Sequence, residues 1–327
     1  MGSAPPVSDH VTDDVYPAKV PWVAVIIFVV IAFGLAWLVT MPLWFSGGLA
    51  SPLAGILLIV MMFTPAAAAL LVVFLVQRPR PSSIRRYLGL WPLRPAKRTI
   101  GMIALAIVGS IAIVVAGAFL AAALGRVQLD LVNFSGFAAE IASLSSKPLP
   151  IPIQLVALLQ LVSIPAGALI NAFFTIGEEL GWRGWLLPSL RPLGTWPALL
   201  ISGAVWGLWH SPVILLGYNF GEPNLLGVAL MVGGCVFYGI LVGWLRLRTG
   251  SIWPSVFAHA AFNAAGGFLV IVAMSGTSVS SPALNPLGWV TWIVMALVIA
   301  VLVVTGQFGR AGALSATAPR RPSRPRT

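Results

Sequence analysis

Eight apolar stretches, each roughly 20 residues or more and so long enough to cross a hydrocarbon core, decide what this chain can become. They fall at about 21–44, 51–76, 99–124, 153–180, 196–218, 224–245, 252–274 and 286–306, with ends softened by frequent Pro and Gly. In the fourth, Pro165 interrupts the helix and the apolar pattern continues past Glu178 to Leu187. The expected fold is therefore all-α: a polytopic transmembrane bundle of about eight spans. Composition excludes the soluble alternative. Hydrophobic residues make up 59% of the chain and charged residues only 8%, too few to clothe a water-facing surface.

The charged residues fix an orientation. Of nineteen Lys and Arg, all but Arg126 and Lys147 fall in the N-terminal tail, the C-terminal tail or alternate loops, the richest being 78–98. By the positive-inside rule that side is cytoplasmic, and both termini lie there, which requires an even number of spans. The net charge of +11 is accounted for by this bias at the membrane surface, and no nucleic-acid partner is expected. Residues 1–20 carry Asp9, Asp13 and Asp14 and lack the basic start and short apolar core of a secretory signal. They read as a disordered cytoplasmic tail, 21–306 as one membrane domain, and 307–327 as a basic disordered tail that can rest on anionic lipid. The connection 125–150, on the outer side, has room for a surface helix. The lone Cys235 lies in an apolar run and reads as a small packing residue. Ala, Pro and Arg bias points to a bacterial plasma membrane.

A chain so poor in charge keeps four ionisable groups against or within apolar helices, where each costs several kcal/mol unless paired or solvated. They fall in three patterns, on the fourth, fifth and seventh spans. In Glu178-Glu179-Leu180-Gly181-Trp182-Arg183, Glu179 and Arg183 are four apart and can pair, whereas Glu178 is turned away by about 100° and is free for chemistry. The structural alternative is that both acids mark a helix end. In Trp206-Gly207-Leu208-Trp209-His210, Trp206 stands one turn before His210 and can wall its ring; the alternative is a core histidine bonded to a neighbouring helix. In His259-Ala260-Ala261-Phe262-Asn263, two donors share a face, as oxyanion stabilisation needs, or else they clamp helices together. The pairs Gly203/Gly207 and Gly239/Gly243 read as close-packing devices. At 1.5 Å per residue, Glu178 and His259 lie roughly 10–15 Å and His210 roughly 20 Å from the cytoplasmic side, which permits one shared cavity in the cytoplasmic half.

Together the three patterns resemble the CPBP family of intramembrane proteases, which includes type 2 CAAX prenyl proteases, bacteriocin-processing enzymes and Abi proteins. Glu178, Glu179 and Arg183 match its Glu-Glu-x-x-x-Arg motif, Trp206 and His210 its aromatic-x-x-x-His motif with Trp in place of the commoner Phe, and His259 and Asn263 its His-x-x-x-Asn motif. The resemblance implies peptide-bond hydrolysis near the cytoplasmic leaflet. Glu178 and His210 would activate water, His259 and Asn263 would stabilise the oxyanion, and Glu179, Arg183 and Trp206 would support them. It implies a peptide or protein substrate, lipidated in some members. Either a glutamate-dependent or a metal-assisted reaction is open, since Glu178, His210 and His259 could hold Zn²⁺ with a free fourth position. Absence of His-Glu-x-x-His and of any Asp in a span disfavours other intramembrane protease classes. Rival functions are a proton-coupled transporter and a non-catalytic immunity or scaffold protein. Oligomeric state is not set by the sequence.

Overall fold

A computed structural model describes residues 16–77, 81–91, 93, 96–144, 150–277, 279 and 281–309. The tails expected to be disordered, 1–20 and 307–327, lie mostly outside these residues, as do Arg78, Arg80, Arg94, Lys147 and the basic cluster after 309.

The described chain is an all-α bundle. Six helices are long and apolar enough to cross a membrane: α1 (Trp22–Phe45), α2 (Ala54–Gln77), α3 (Ala96–Ala123), α4 (Ile153–Leu193), then Leu225–Thr249 and Trp253–Val272. Two further helices are shorter than expected. The fifth in the chain, α5 (Thr195–Trp209), has only 15 residues. The last two long helices are thus α6 (Leu225–Thr249) and α7 (Trp253–Val272), and α8 (Trp289–Val304) closes the bundle with 16 residues. Among the described residues eight apolar helices match the expected stretches, and six of them have the full length expected of a span. The shortening of α5 has a local cause. Pro212 has no N–H to continue the ladder, and the Ser211 hydroxyl donates to the Leu208 carbonyl instead. The chain breaks at His210 and resumes as the single turn Ser211–Ile214.

Burial follows the two solvents. On α1, Ala24, Phe28, Ala32 and Ala36 line one buried face, while Val23, Ile26 and Val30 on the other are exposed and apolar, as lipid contact requires. Exposed Trp22 and Trp44 stand at opposite ends of α1, 22 positions apart, or roughly 33 Å along a helix, the spacing of two aromatic belts.

Loop contacts sort the bundle into two ends. At one end, Arg246 of α6 donates to the carbonyls of Arg183 and Tyr87 at 3.0 and 2.8 Å and to that of Gly250, while Tyr87 meets Ser189 at 2.6 Å. The basic loops thus gather together. Arg246 was counted as a loop charge, yet it is fully buried and serves as a carbonyl cap. Gly89, at φ +71°, lies against its guanidinium where any side chain would collide. At the opposite end, Leu129 bridges Ala273, the Asp130 N–H reaches Val272 O at 2.8 Å, and a surface helix forms over Ser135–Leu144.

Small residues bring the central helices together. A methyl group on Gly203 of α5 would stand 2.8 Å from the Val236 Cα of α6, and one on Gly239 3.2 Å from the Gly203 Cα. The expected glycine device therefore joins α5 to α6. Cys235 packs in the same seam, fully buried.

Candidate active site

Glu178 and Glu179 end the regular part of α4, after which Leu180–Leu186 widens into a π-helical turn. Such turns recur at functional sites because they re-aim side chains without ending the helix. Here the turn carries the motif onward to Leu193, so Arg183 does not mark a helix end.

The two adjacent acids face different partners. Glu179 is completely buried, and its Oε1 accepts from Arg183 NH1 at 2.9 Å and from His259 Nδ1 at 3.0 Å. The i,i+4 pair expected from the sequence is present, but the contact to α7 was not foreseen. Glu179 and Arg183 therefore do more than hold their own helix: they fix the His259 ring across an interhelical gap. Glu179 Oε2 has no hydrogen-bond partner among the described residues.

Glu178 points to α5. Its Oε2 accepts from the Trp206 indole N–H at 2.7 Å. The carbonyl of Trp206 in turn lies 2.9 Å from His210 Nδ1. A carbonyl can only accept, so Nδ1 carries the proton of that bond, and in the neutral ring Nε2 keeps its lone pair for another proton. One residue thereby orients both the acid and an imidazole. Trp206 also meets the His259 ring edge-on at 5.2 Å between centroids, and the Arg183 guanidinium lies 4.2 Å over its face. Trp206 was expected to wall His210, and its ring does lie 6.0 Å from that imidazole between centroids; it also sits at the centre of the whole cluster. Trp209 packs edge-to-face against His210 at 4.6 Å and is anchored by its N–H to Thr64 Oγ1 at 3.1 Å.

Glu178, His210, His259 and Asn263 all line one cavity of about 440 Å³. That volume lies in the range of about 300–1,000 Å³ typical of small-ligand sites. The first three are buried, at 3%, 9% and 5% exposure, whereas Asn263 is exposed one turn beyond His259. The four residues singled out in three separate helices are brought together.

Sequence reasoning missed other wall residues. Tyr238 of α6 lines the cavity, donates to Ala258 O at 2.8 Å, contacts Ser110 Oγ at 2.9 Å and stacks on Phe262. A tyrosine inside an apolar span was a usable signal, since a buried hydroxyl needs a partner. Asn171, inside the apolar α4, carried the same signal; Tyr218, Asn219 and Asn285, which lie in loops and also line the cavity, did not. The cavity is not confined to the half expected. It runs away from the basic end, towards loops 215–224 and 281–288.

Among the described residues, no three His, Cys, Asp or Glu side chains are grouped to hold a metal ion. Glu178, His210 and His259, the ligands a metal-assisted reaction would use, all line the cavity, and Glu178 Oε2 and both Nδ1 atoms have protein partners.

Residues 158–265 match the family model described as Rce1-like, type II CAAX prenyl endopeptidase Rce1-like. The match runs from early in α4 to Ala265 in α7, and so takes in every residue of the three motifs. No curated protein matches the chain. Through the segment that builds its cavity, this integral membrane chain is similar to the Rce1-like type II CAAX prenyl endopeptidases.

Proposed function

We propose that the protein is an intramembrane endopeptidase that hydrolyses a peptide bond of a membrane-associated or lipidated peptide held in the cavity. The observation that carries this reading is the convergence of a buried acid and two buried imidazoles on one cavity in a chain with only 8% charged residues. Glu178, with one oxygen fixed by Trp206, takes a proton from water as it attacks the carbonyl carbon. His210 Nε2 shares that proton. The carbonyl oxygen becomes an oxyanion, stabilised by His259 and by the Asn263 amide, both of which line the cavity. Collapse of the tetrahedral species breaks the C–N bond, and the proton held by Glu178 and His210 passes to the departing amine.

Glu178→Ala is expected to lower cleavage by at least about 10²-fold, the scale of a lost general base, while the protein still accumulates in membranes. Released peptides and new C-termini in a deletion strain carrying wild type or Glu178→Ala supply the measurement. Products formed equally by both would overturn the role. Metal content of the purified protein, and cleavage after chelation, test the zinc-assisted form of the reaction. The transporter and scaffold alternatives gain no specific support from the geometry.

A further inference from the structure

We infer that the cavity receives its substrate from the membrane face opposite the basic loops, so that the substrate is a peptide segment displayed on the extracytoplasmic side. This deepens the endopeptidase reading and rests on it for the word substrate; the direction of access stands on the cavity's geometry and on the side the basic residues mark.

The basic end is closed over the site. Every residue from 181 to 190 is buried. Trp182 and Trp185 are fully buried there, and Arg246 ties this segment to the carbonyl of Tyr87. Among the described residues, the cavity's lining comes nearest to that end at Glu178 and at His259, the latter six residues into α7.

The other end is open and polar. From Glu178 and His210 the cavity passes exposed Asn263 and reaches Tyr218, Asn219 and Asn285, all only partly buried. These last three lie in connections that join α5 to α6 and α7 to α8, each at the end away from Arg246. The Asn285 amide donates to Asn219 O at 2.8 Å and fastens the two loops into one rim. The first turns of α2, at Leu58 and Met62, complete the wall on that same side. With basic residues marking the cytoplasmic face, the rim belongs to the opposite leaflet. An acceptable substrate is then a short, extended peptide portion that has already crossed, or emerges within, that leaflet. The volume admits a ligand of small-molecule size and excludes a folded domain.

Thiol labelling tests this without any knowledge of the substrate. The parent's single cysteine, Cys235, is buried and supplies a silent background. Tyr218→Cys marks the rim, Asn263→Cys the cavity and Lys97→Cys the basic face. Each variant is exposed to a membrane-impermeant thiol reagent in intact cells and in inverted vesicles. Tyr218→Cys and Asn263→Cys are expected to label in intact cells and to lose that labelling in sealed inverted vesicles, with Lys97→Cys behaving oppositely. Asn263→Cys that labels only in inverted vesicles, or in neither, overturns the proposal. Leu58→Cys repeats the cavity test should Asn263→Cys fail to accumulate. Labelling does not require catalysis, so the same pattern in a Glu178→Gln background supports the access route even if the hydrolase reading fails, whereas reversed labelling with cleavage intact sinks the route alone.

Discussion

The two ends of the bundle obey different rules. At the basic end, many buried polar groups are consumed by one another: Arg246 caps three carbonyls, and Tyr87 and Ser189 share a bond, although Trp182 Nε1 and Arg191 Nε have no partner among the described residues. At the cavity end, polar groups such as Asn263 and Tyr218 border open space. The membrane tolerates polar side chains at both ends, for opposite reasons. In the first most are satisfied by protein; in the second they can be satisfied by water or a ligand. Rigidity and chemistry are thereby assigned to separate halves of the same helices, with Glu179 and Arg183 at the junction.

The comparison breaks most sharply at Arg246. Arg246→Met leaves the carbonyls of Arg183, Tyr87 and Gly250 without their donor, and is expected to cost about 3–5 kcal/mol of stability. Thermal unfolding in detergent measures it. Molecules that remain folded should keep wild-type cleavage, and a selective loss of kcat would mean the two ends are not separate. A smaller effect on stability but a clear one on rate is expected for Trp206→Phe. The ring remains against His259 while the N–H to Glu178 is lost. Cleavage kinetics should show kcat down about 10- to 100-fold with little change in KM, as for a misaligned group. An unchanged kcat would remove Trp206 from the positioning role.

The weakest expected effect lies outside the membrane. Hydrogen bonds from Ser135 and from the backbone N–H groups of Asn133 and Val132 hold the Asp130 carboxyl down to about 2. Its folded value is depressed, so its contribution is complete above the usual carboxylate range and fades as pH falls from about 4 towards 2. Hydrogen exchange of residues 128–136 should rise over that window, and Asp130→Asn should flatten the response. An identical pH profile in the variant would locate the sensitivity elsewhere.

Much of this was legible beforehand, and the reason is energetic. An acid or imidazole in an apolar run is expensive, so Glu178, His210 and His259 stood out from their surroundings. The Glu179–Arg183 pair was legible because helical spacing alone puts those residues on one face. Contacts between helices were not. Spacing within α5 could suggest that Trp206 sits near His210, but the indole N–H reaching Glu178 depends on how α4 and α5 pack. The same holds for Glu179 and His259. Span lengths were overstated at both short helices because hydropathy does not register where backbone hydrogen bonding stops: it ran through the break at His210 and Pro212, and past both ends of α8. Counting along single helices also says nothing about which end of a cavity is plugged.

One feature of α4 constrains motion as well as structure. Membrane helices commonly roll or slide because one flank touches fluid lipid. Residues 181–190, wound through the π-helical turn, are buried throughout. That stretch has no fluid flank on which to slip, so it acts as a fixed abutment for Glu178 and Glu179. Whatever widening a peptide requires falls to the tethered rim of Asn219 and Asn285, whose single amide bond is far easier to break and remake.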